Sequence, residues 1–163
     1  MSKPWRPPAH AILAASGLAP HRLELEITES VRLVENRAVR KALDDLKTLG
    51  IAIALDDFGT GNSSLSYLRA FPFDKIKIDL CFVRDLGQGA PAQAIVDALL
   101  ALAGDLGMTT TAEGVEADWQ HAWLQTKGCT EAQGYFFGRP MPAAEVPDFL
   151  ASRPRYAANG HKD

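Results

Sequence analysis

Seven side chains could do chemistry in this chain: Glu26, Asp56, Asp57, Lys77, Asp79, Glu113 and Gln133. Asp56 and Asp57 close the apolar run Ile51-Ala52-Ile53-Ala54-Leu55, and the turn-forming segment Phe58-Gly59-Thr60-Gly61-Asn62-Ser63 follows them. Glu26, Lys77 and Glu113 each sit at or near the end of another apolar or small-residue run. Carboxylates gathered this closely repel one another and take up protons unless a cation joins them. Hard oxygen donors of this kind suit Mg²⁺ or Mn²⁺. A pair of such ions roughly 3.5–4 Å apart is a general device for phosphodiester hydrolysis. Lys77 would orient an attacking water or neutralise charge on the phosphate. Each signal also has a plainer reading. Asp-Asp before Phe-Gly fits a turn, Glu26 before Thr28 fits a helix start, Glu113-Gly114 fits a strand exit, and Lys77 fits a Schiff-base lysine or, more plainly, a cation that balances local acids. Their recurrence at successive strand ends is what favours a single site.

The elements that would position them follow from periodicity. Leu23–Ile27, Ile51–Leu55, Lys75–Asp79 and Met108–Ala112 alternate or run apolar as strands do, and Cys129–Phe136 is a fifth strand candidate. Between them lie helical patterns over 31–49, 64–70, 92–106 and 119–127, with a first helix ending at Ser16 and a last over 142–150. Strands alternating with helices imply parallel βαβ units. One strand face carries Leu23, Leu25, Ile27, Ile53, Leu55, Ile76 and Ile78. The other carries Glu24, Glu26, Ala52, Ala54, Asp56, Lys75, Lys77, Thr109, Thr111 and Glu113. An open sheet covered by helices on both sides wants apolar residues on both faces. A polar, small-residue inner face predicts instead an α/β fold of the (β/α)8 barrel type, whose strand C-termini share one mouth. One layer below that mouth, Glu24 and Lys75 are expected to pair, since neither is tolerable there alone.

Bulk properties narrow the function. The chain has 163 residues, 47% hydrophobic and 23% charged, as in a globular domain. A net charge of −3 gives no general attraction for a nucleic-acid polymer. Cys81 and Cys129 lack metal-ligand spacing and fit buried thiols of a reducing cytosol, so a cytoplasmic location is expected. No apolar run reaches the roughly 18 residues of a membrane span. Ser63 and Ser64 have no histidine partner pattern that would make either a nucleophile.

Taken in order, Glu26-Ile-Thr-Glu-Ser30, Asp56-Asp-Phe-Gly-Thr-Gly61, Lys77-Ile-Asp79, Ala112-Glu-Gly-Val-Glu116, Gln133-Gly-Tyr135 and Gly138-Arg-Pro140 resemble the EAL domain family, bacterial phosphodiesterases that hydrolyse cyclic di-GMP to linear pGpG. The resemblance runs from about Ile12 to about Leu150. It implies that Glu26, Asp56, Asp57 and Glu113 hold Mg²⁺ or Mn²⁺, with Asp56 shared between two ions. It implies that Lys77, Glu113 and Gln133 serve the reaction, Lys77 by holding the attacking water. Glu29 is similar to the residue that braces the loop after Asp57, through which the family forms a homodimer. Tyr135, Arg139 and Pro140 lie where the family holds a guanine.

Departures from the family pattern shape the expectations. There is no Glu-Ala-Leu triplet, and the Asn ligand of the family's second strand has no counterpart. The resemblance therefore implies the C-terminal portion of the domain, about five of eight strands of a barrel that takes about 250 residues. The expected organisation is an N-terminal arm at 1–11, a truncated EAL domain at 12–150 and a disordered tail at 151–163. Two lost ligands imply poor metal binding and little hydrolysis, and two open sheet edges imply low stability. The alternative is a remnant that binds cyclic di-GMP or dimerises without catalysis. Asn62 stands where the family usually has an aromatic residue. Leu80-Cys81 stands where Arg-Ser is common, which removes a cation near the substrate.

Overall fold

The computed structural model describes residues 9–28, 37–60 and 65–152. Five parallel strands form one sheet: β1 (Glu24–Thr28), β2 (Ala52–Phe58), β3 (Lys75–Ile78), β4 (Thr109–Ala112) and β5 (Glu131–Ala132). Their order is β1-β2-β3-β4-β5, each beside its predecessor in the chain. A doubly wound sheet reverses its order at a switch point, and this one does not. The helices are α1 (Ala9–Ser16), α2 (Arg37–Thr48), α3 (Leu65–Ala70), α4 (Leu80–Asp85), α5 (Ala90–Asp105), α6 (Asp118–Thr126) and α7 (Val146–Ser152).

Helices cover the outer strand face, as the alternation predicts. Ile53, Leu55 and Ile76 pack with Leu43 and Leu46 of α2, Leu68 of α3 and Ala103 of α5. Ile78 and Ala112 pack with Val83 of α4, Val96 of α5 and Leu124 of α6. Val39, Leu43 and Leu46 recur at helical spacing, so α2 turns one apolar stripe to the sheet while Lys41 and Asp45 pair on its exposed side at 2.7 Å. At the foot of the sheet, Asp74 accepts from the Ile53 amide at 2.8 Å and from Lys47. With its apolar face committed outward and a consecutive strand order, the sheet is an arc of a (β/α)8 barrel.

The structure departs from the periodicity reading in four places. Strand β2 continues through Asp56 and Asp57 instead of ending before them. A helix, α4, follows β3 directly, because Asp79 caps it by accepting from the Cys81 amide at 2.8 Å. Strand β5 keeps two residues of the eight expected. It ends because the chain turns across Val115, whose amide donates to Gln133 and whose carbonyl accepts from Phe136, both at 3.0 Å. Helix α1 begins at Ala9, inside the stretch expected as an arm. Residues 1–8, 153–163, the first part of the expected helix over 31–49, Glu29, and Gly61 to Ser64 lie outside the described residues.

Candidate functional site

The inner face converges on one ammonium group. Lys77 Nζ lies 2.8 Å from Glu26 Oε1, 3.1 Å from Asp56 Oδ1 and 2.6 Å from Glu113 Oε1, so β3 gathers acids from β1, β2 and the end of β4. The Lys77 side chain is only 6% exposed. Burial alone would drive its pKa down. Hydrogen bonds that Lys77 donates to Glu113, Glu26 and Asp56 outweigh that and hold it well above the ordinary value. Three carboxylates around the ammonium favour the charged form of Lys77 and disfavour the neutral amine that a Schiff base needs.

Asp57 reaches the same place by a backbone irregularity. Neighbouring residues of a regular strand point to opposite faces, so without a break Asp57 would follow Leu55 away from the mouth and Phe58 would turn towards it. The β2–β3 register shifts between Leu55 and Phe58: three steps on β2 match two on β3, from Ile76 to Ile78. That is a β-bulge. Asp57 takes φ 57°, the left-handed region that aspartate tolerates better than most residues. The bulge brings carboxylate oxygens of Asp56, Asp57 and Glu113 within 4.8 Å of one another. Three oxygen donors at that spacing fit a hard divalent cation with metal–oxygen bonds of about 2.0–2.6 Å. Glu26 stands on the Lys77 side of the cluster and not within the close trio.

Electrostatics agree with a surplus of negative charge. Burial, then Asp56 and Asp79, push the Asp57 carboxyl above its usual range. Burial also raises Glu113. Its ion pair with Lys77 pulls the other way, and repulsion from Asp56 and Glu26 helps leave the net shift upward. Gln133 Nε2 donates to Glu113 Oε1 at 2.9 Å, so the amide steadies the carboxylate that Lys77 also holds.

Beside this cluster opens a cavity of about 520 Å³, lined in part by Leu80, Arg84, Glu116, Tyr135, Arg139 and Pro140. Its wall depends on glycine. A Cβ at Gly134, where φ is 155°, would collide with the Val115 backbone, and one at Gly114 would lie 2.6 Å from Leu80 Cβ. The Arg139 guanidinium covers the Tyr135 ring at 4.3 Å, a cation–π arrangement. His121 stacks on Phe136 at 5.7 Å. Buried Gln120 accepts from the amides of Glu116 and Ala117 at 2.8 and 3.0 Å and donates to Val83 O at 3.1 Å, fixing the cavity floor to α4. Leu80 stood out in the sequence as a lost cation near the substrate, whereas Arg84, Glu116 and Gln120 were not foreseen as lining residues, Arg84 because helix α4 was not expected. Burial raises the Cys81 thiol to about 11 and also raises Cys129, which disfavours the thiolate form of both.

The structure thus brings together every expected site residue that it describes. Glu26, Asp56, Asp57, Lys77, Glu113 and Gln133 form the polar cluster, and Tyr135, Arg139 and Pro140 the adjoining wall. An arc of parallel barrel strands with acids at their C-terminal ends defines the class: a TIM-type α/β domain with its site at the strand mouth. Among known families, the EAL domain matches residues 7–140, and the chain belongs to that family. It is 41% identical over 138 residues to the cyclic di-GMP phosphodiesterase NbdA of Pseudomonas aeruginosa, which covers 85% of this chain and 18% of that protein. The EAL domain of Mycobacterium smegmatis DcpA superposes with a TM-score of 0.82 at 40% identity, over 88% of this chain and 64% of that one. Klebsiella pneumoniae BlrP1, solved with manganese and cyclic di-GMP, superposes with a TM-score of 0.73 at 41% identity, over 81% of this chain and 34% of that one. The chain spans about a fifth of the length of the curated relatives it matches. Among the described residues no helix is long and apolar enough to cross a membrane.

Proposed function

We propose that this chain carries the greater part of a cyclic di-GMP phosphodiesterase site of the EAL type. The observation that carries the reading is the Lys77 ammonium shared by Glu26, Asp56 and Glu113, with Asp57 turned into the same cluster by the β2 bulge. Asp56, Asp57 and Glu113, with Glu26 beside them, are the residues to hold Mn²⁺ or Mg²⁺. A divalent ion bound there supplies Lewis acidity to a phosphoryl oxygen and lowers the pKa of a bound water. Lys77 orients that water and offsets charge on the phosphate. Gln133 restrains Glu113. Tyr135, Arg139 and Pro140 form an amphipathic wall suited to a guanine, through ring stacking, a guanidinium and an apolar edge. A homodimer through the loop after Asp57, braced by Glu29, belongs to the same reading and involves residues outside those described.

Among the described residues three carboxylates at ligand distance are few for two ions, so the 163-residue chain by itself should hold metal weakly and turn over slowly. Calorimetry with cyclic di-GMP, with and without Mn²⁺, alongside chromatography for pGpG, tests this. The expected result is Mn²⁺-dependent binding with slow conversion that EDTA abolishes. Binding indifferent to Mn²⁺ and without pGpG overturns hydrolysis in favour of a receptor. Rapid conversion overturns the weak-metal part alone.

A further inference from the structure

A second ammonium hub lies beneath the first. Lys75 Nζ is 2.7 Å from Glu24 Oε2 and 2.6 Å from Glu131 Oε2, and Thr111 Oγ1 donates to the same Glu131 oxygen at 3.1 Å. Glu24 sits on β1 and Glu131 on β5, at opposite edges of the five-stranded sheet. Strands about 4.8 Å apart would place those edges about 19 Å from each other in a flat sheet. Two bonds of 2.7 and 2.6 Å to one nitrogen leave at most about 5.3 Å between the two oxygens. The pairing exists only because the sheet is curled, and it opposes flattening.

The edge strand most in need of this restraint is β5. Its ladder with β4 has two register pairs, Thr111 with Glu131 and Ala112 with Ala132. Two residues beyond Glu131, on the same face, is Gln133, which donates to Glu113. The cavity wall follows at once, from Gly134 to Pro140. Lys75 is 10% exposed and sits on the central strand, so it is a firm anchor for a short one.

We propose that Glu24, Lys75 and Glu131 act as a curvature clamp across the sheet, with Glu131 a positioning residue that sets Gln133 over Glu113 and the cavity wall beside the acids. The clamp touches neither phosphate nor metal. Its effect on metal binding rests on the function proposed above, whereas its effect on β5 does not.

Amide hydrogen exchange on the full chain tests it, using Lys75→Met, Glu131→Gln and the conservative Lys75→Arg. The probes are the Gln133 amide, bonded to Ala112 O at 2.9 Å, and the Val115 amide, bonded to Gln133 O at 3.0 Å. The reference is the Asp74 amide, bonded to Ile53 O between β2 and β3 at 2.9 Å. Expected are rates at Gln133 and Val115 about tenfold higher in Lys75→Met, about threefold higher in Glu131→Gln and near parent in Lys75→Arg, with Asp74 little changed. Rates that stay at the parent level, or that rise equally at Asp74, overturn the clamp, the latter because it marks a merely global loss of stability. Should Lys75→Met fail to fold, Glu131→Gln at the half-exposed end of the clamp carries the same test. In Lys75→Met and Glu131→Gln, but not in Lys75→Arg, Mn²⁺ affinity should fall about tenfold. A parent chain that binds no Mn²⁺ refutes the metal reading and leaves the exchange result decisive for the clamp.

Discussion

Lys75 and Lys77 stand two residues apart on β3 and face the same interior, yet they serve unlike surroundings. Lys77 holds three acids while Asp57 adds a fourth nearby, four carboxylates against one ammonium. Lys75 holds two, and a threonine hydroxyl satisfies the shared oxygen of Glu131. The upper group is left with excess negative charge and carboxyls raised by burial and mutual repulsion. The lower group comes closer to balance. The difference separates the group proposed to bind a divalent cation from a brace served by a single ammonium. Both arise from one strand pattern, Lys-Ile-Lys-Ile, so charge count rather than secondary structure divides the roles.

The largest expected effect is at the upper lysine. Lys77→Met leaves three carboxylates around an apolar chain and should destabilise the metal-free protein by about 3–5 kcal/mol in urea unfolding. Mn²⁺ should restore part of that loss, because a divalent ion can replace the ammonium. If Mn²⁺ restores nothing, the upper group is a brace like the lower one. Lys75→Met should cost about 1–3 kcal/mol, less because Glu131 is 52% exposed and can turn to water. A double-mutant cycle of Lys75→Met with Glu24→Gln should show coupling, and additive losses would break the pairing.

The two groups should also part company with pH. Asp57 and Glu113 have folded pKa values above their ordinary 3.8 and 4.5, so the folded state holds their protons more tightly than the unfolded chain does. Their repulsion is thus a loss of stability present at neutral pH and relieved as pH falls through the raised values. Asp57→Asn, which keeps a residue that tolerates positive φ, should make the metal-free protein slightly more stable at pH 7, with the gain shrinking as pH falls through the raised Asp57 value and gone below the ordinary 3.8. Lys75 behaves in the opposite sense. Burial lowers its pKa, but hydrogen bonds to Glu131 and Glu24 raise it further, so its stabilisation is complete below 10.5 and lost only as pH rises beyond that. Unfolding midpoints measured from below pH 3.8 to above pH 10.5 would expose the contrast. The smallest effect is Thr111→Val, which removes one hydrogen bond to Glu131 and should cost about 1 kcal/mol while leaving the Lys77 group unchanged.

Much of this arrangement was legible in the sequence because strands have period two. Glu24 and Glu26, Lys75 and Lys77, and Thr111 with Glu113 had to share a face opposite Leu25, Ile76 and Ile78 once those apolar residues were assigned to the helices. The pairing of Glu24 with Lys75 followed from burial alone. Glu131 carried the same signal, standing two residues before Gln133. It was missed because the long strand expected over 129–136 hid how short β5 is and how much that strand depends on a side chain. Helix α4 was missed because six residues give little periodicity, although Asp79 was a readable cap.

By itself the sequence determined which residues face the barrel interior, that acids would meet at its mouth, and to which family the chain belongs, since these rest on alternation and motif order. The tertiary structure alone decided how the acids are shared. Asp57 joins Asp56 only because β2 bulges, and pairing register is a relation between strands that neither strand encodes alone. Glu24 meets Glu131 only because the sheet curls, bringing its two edges to one ammonium that sequence distance gives no hint of.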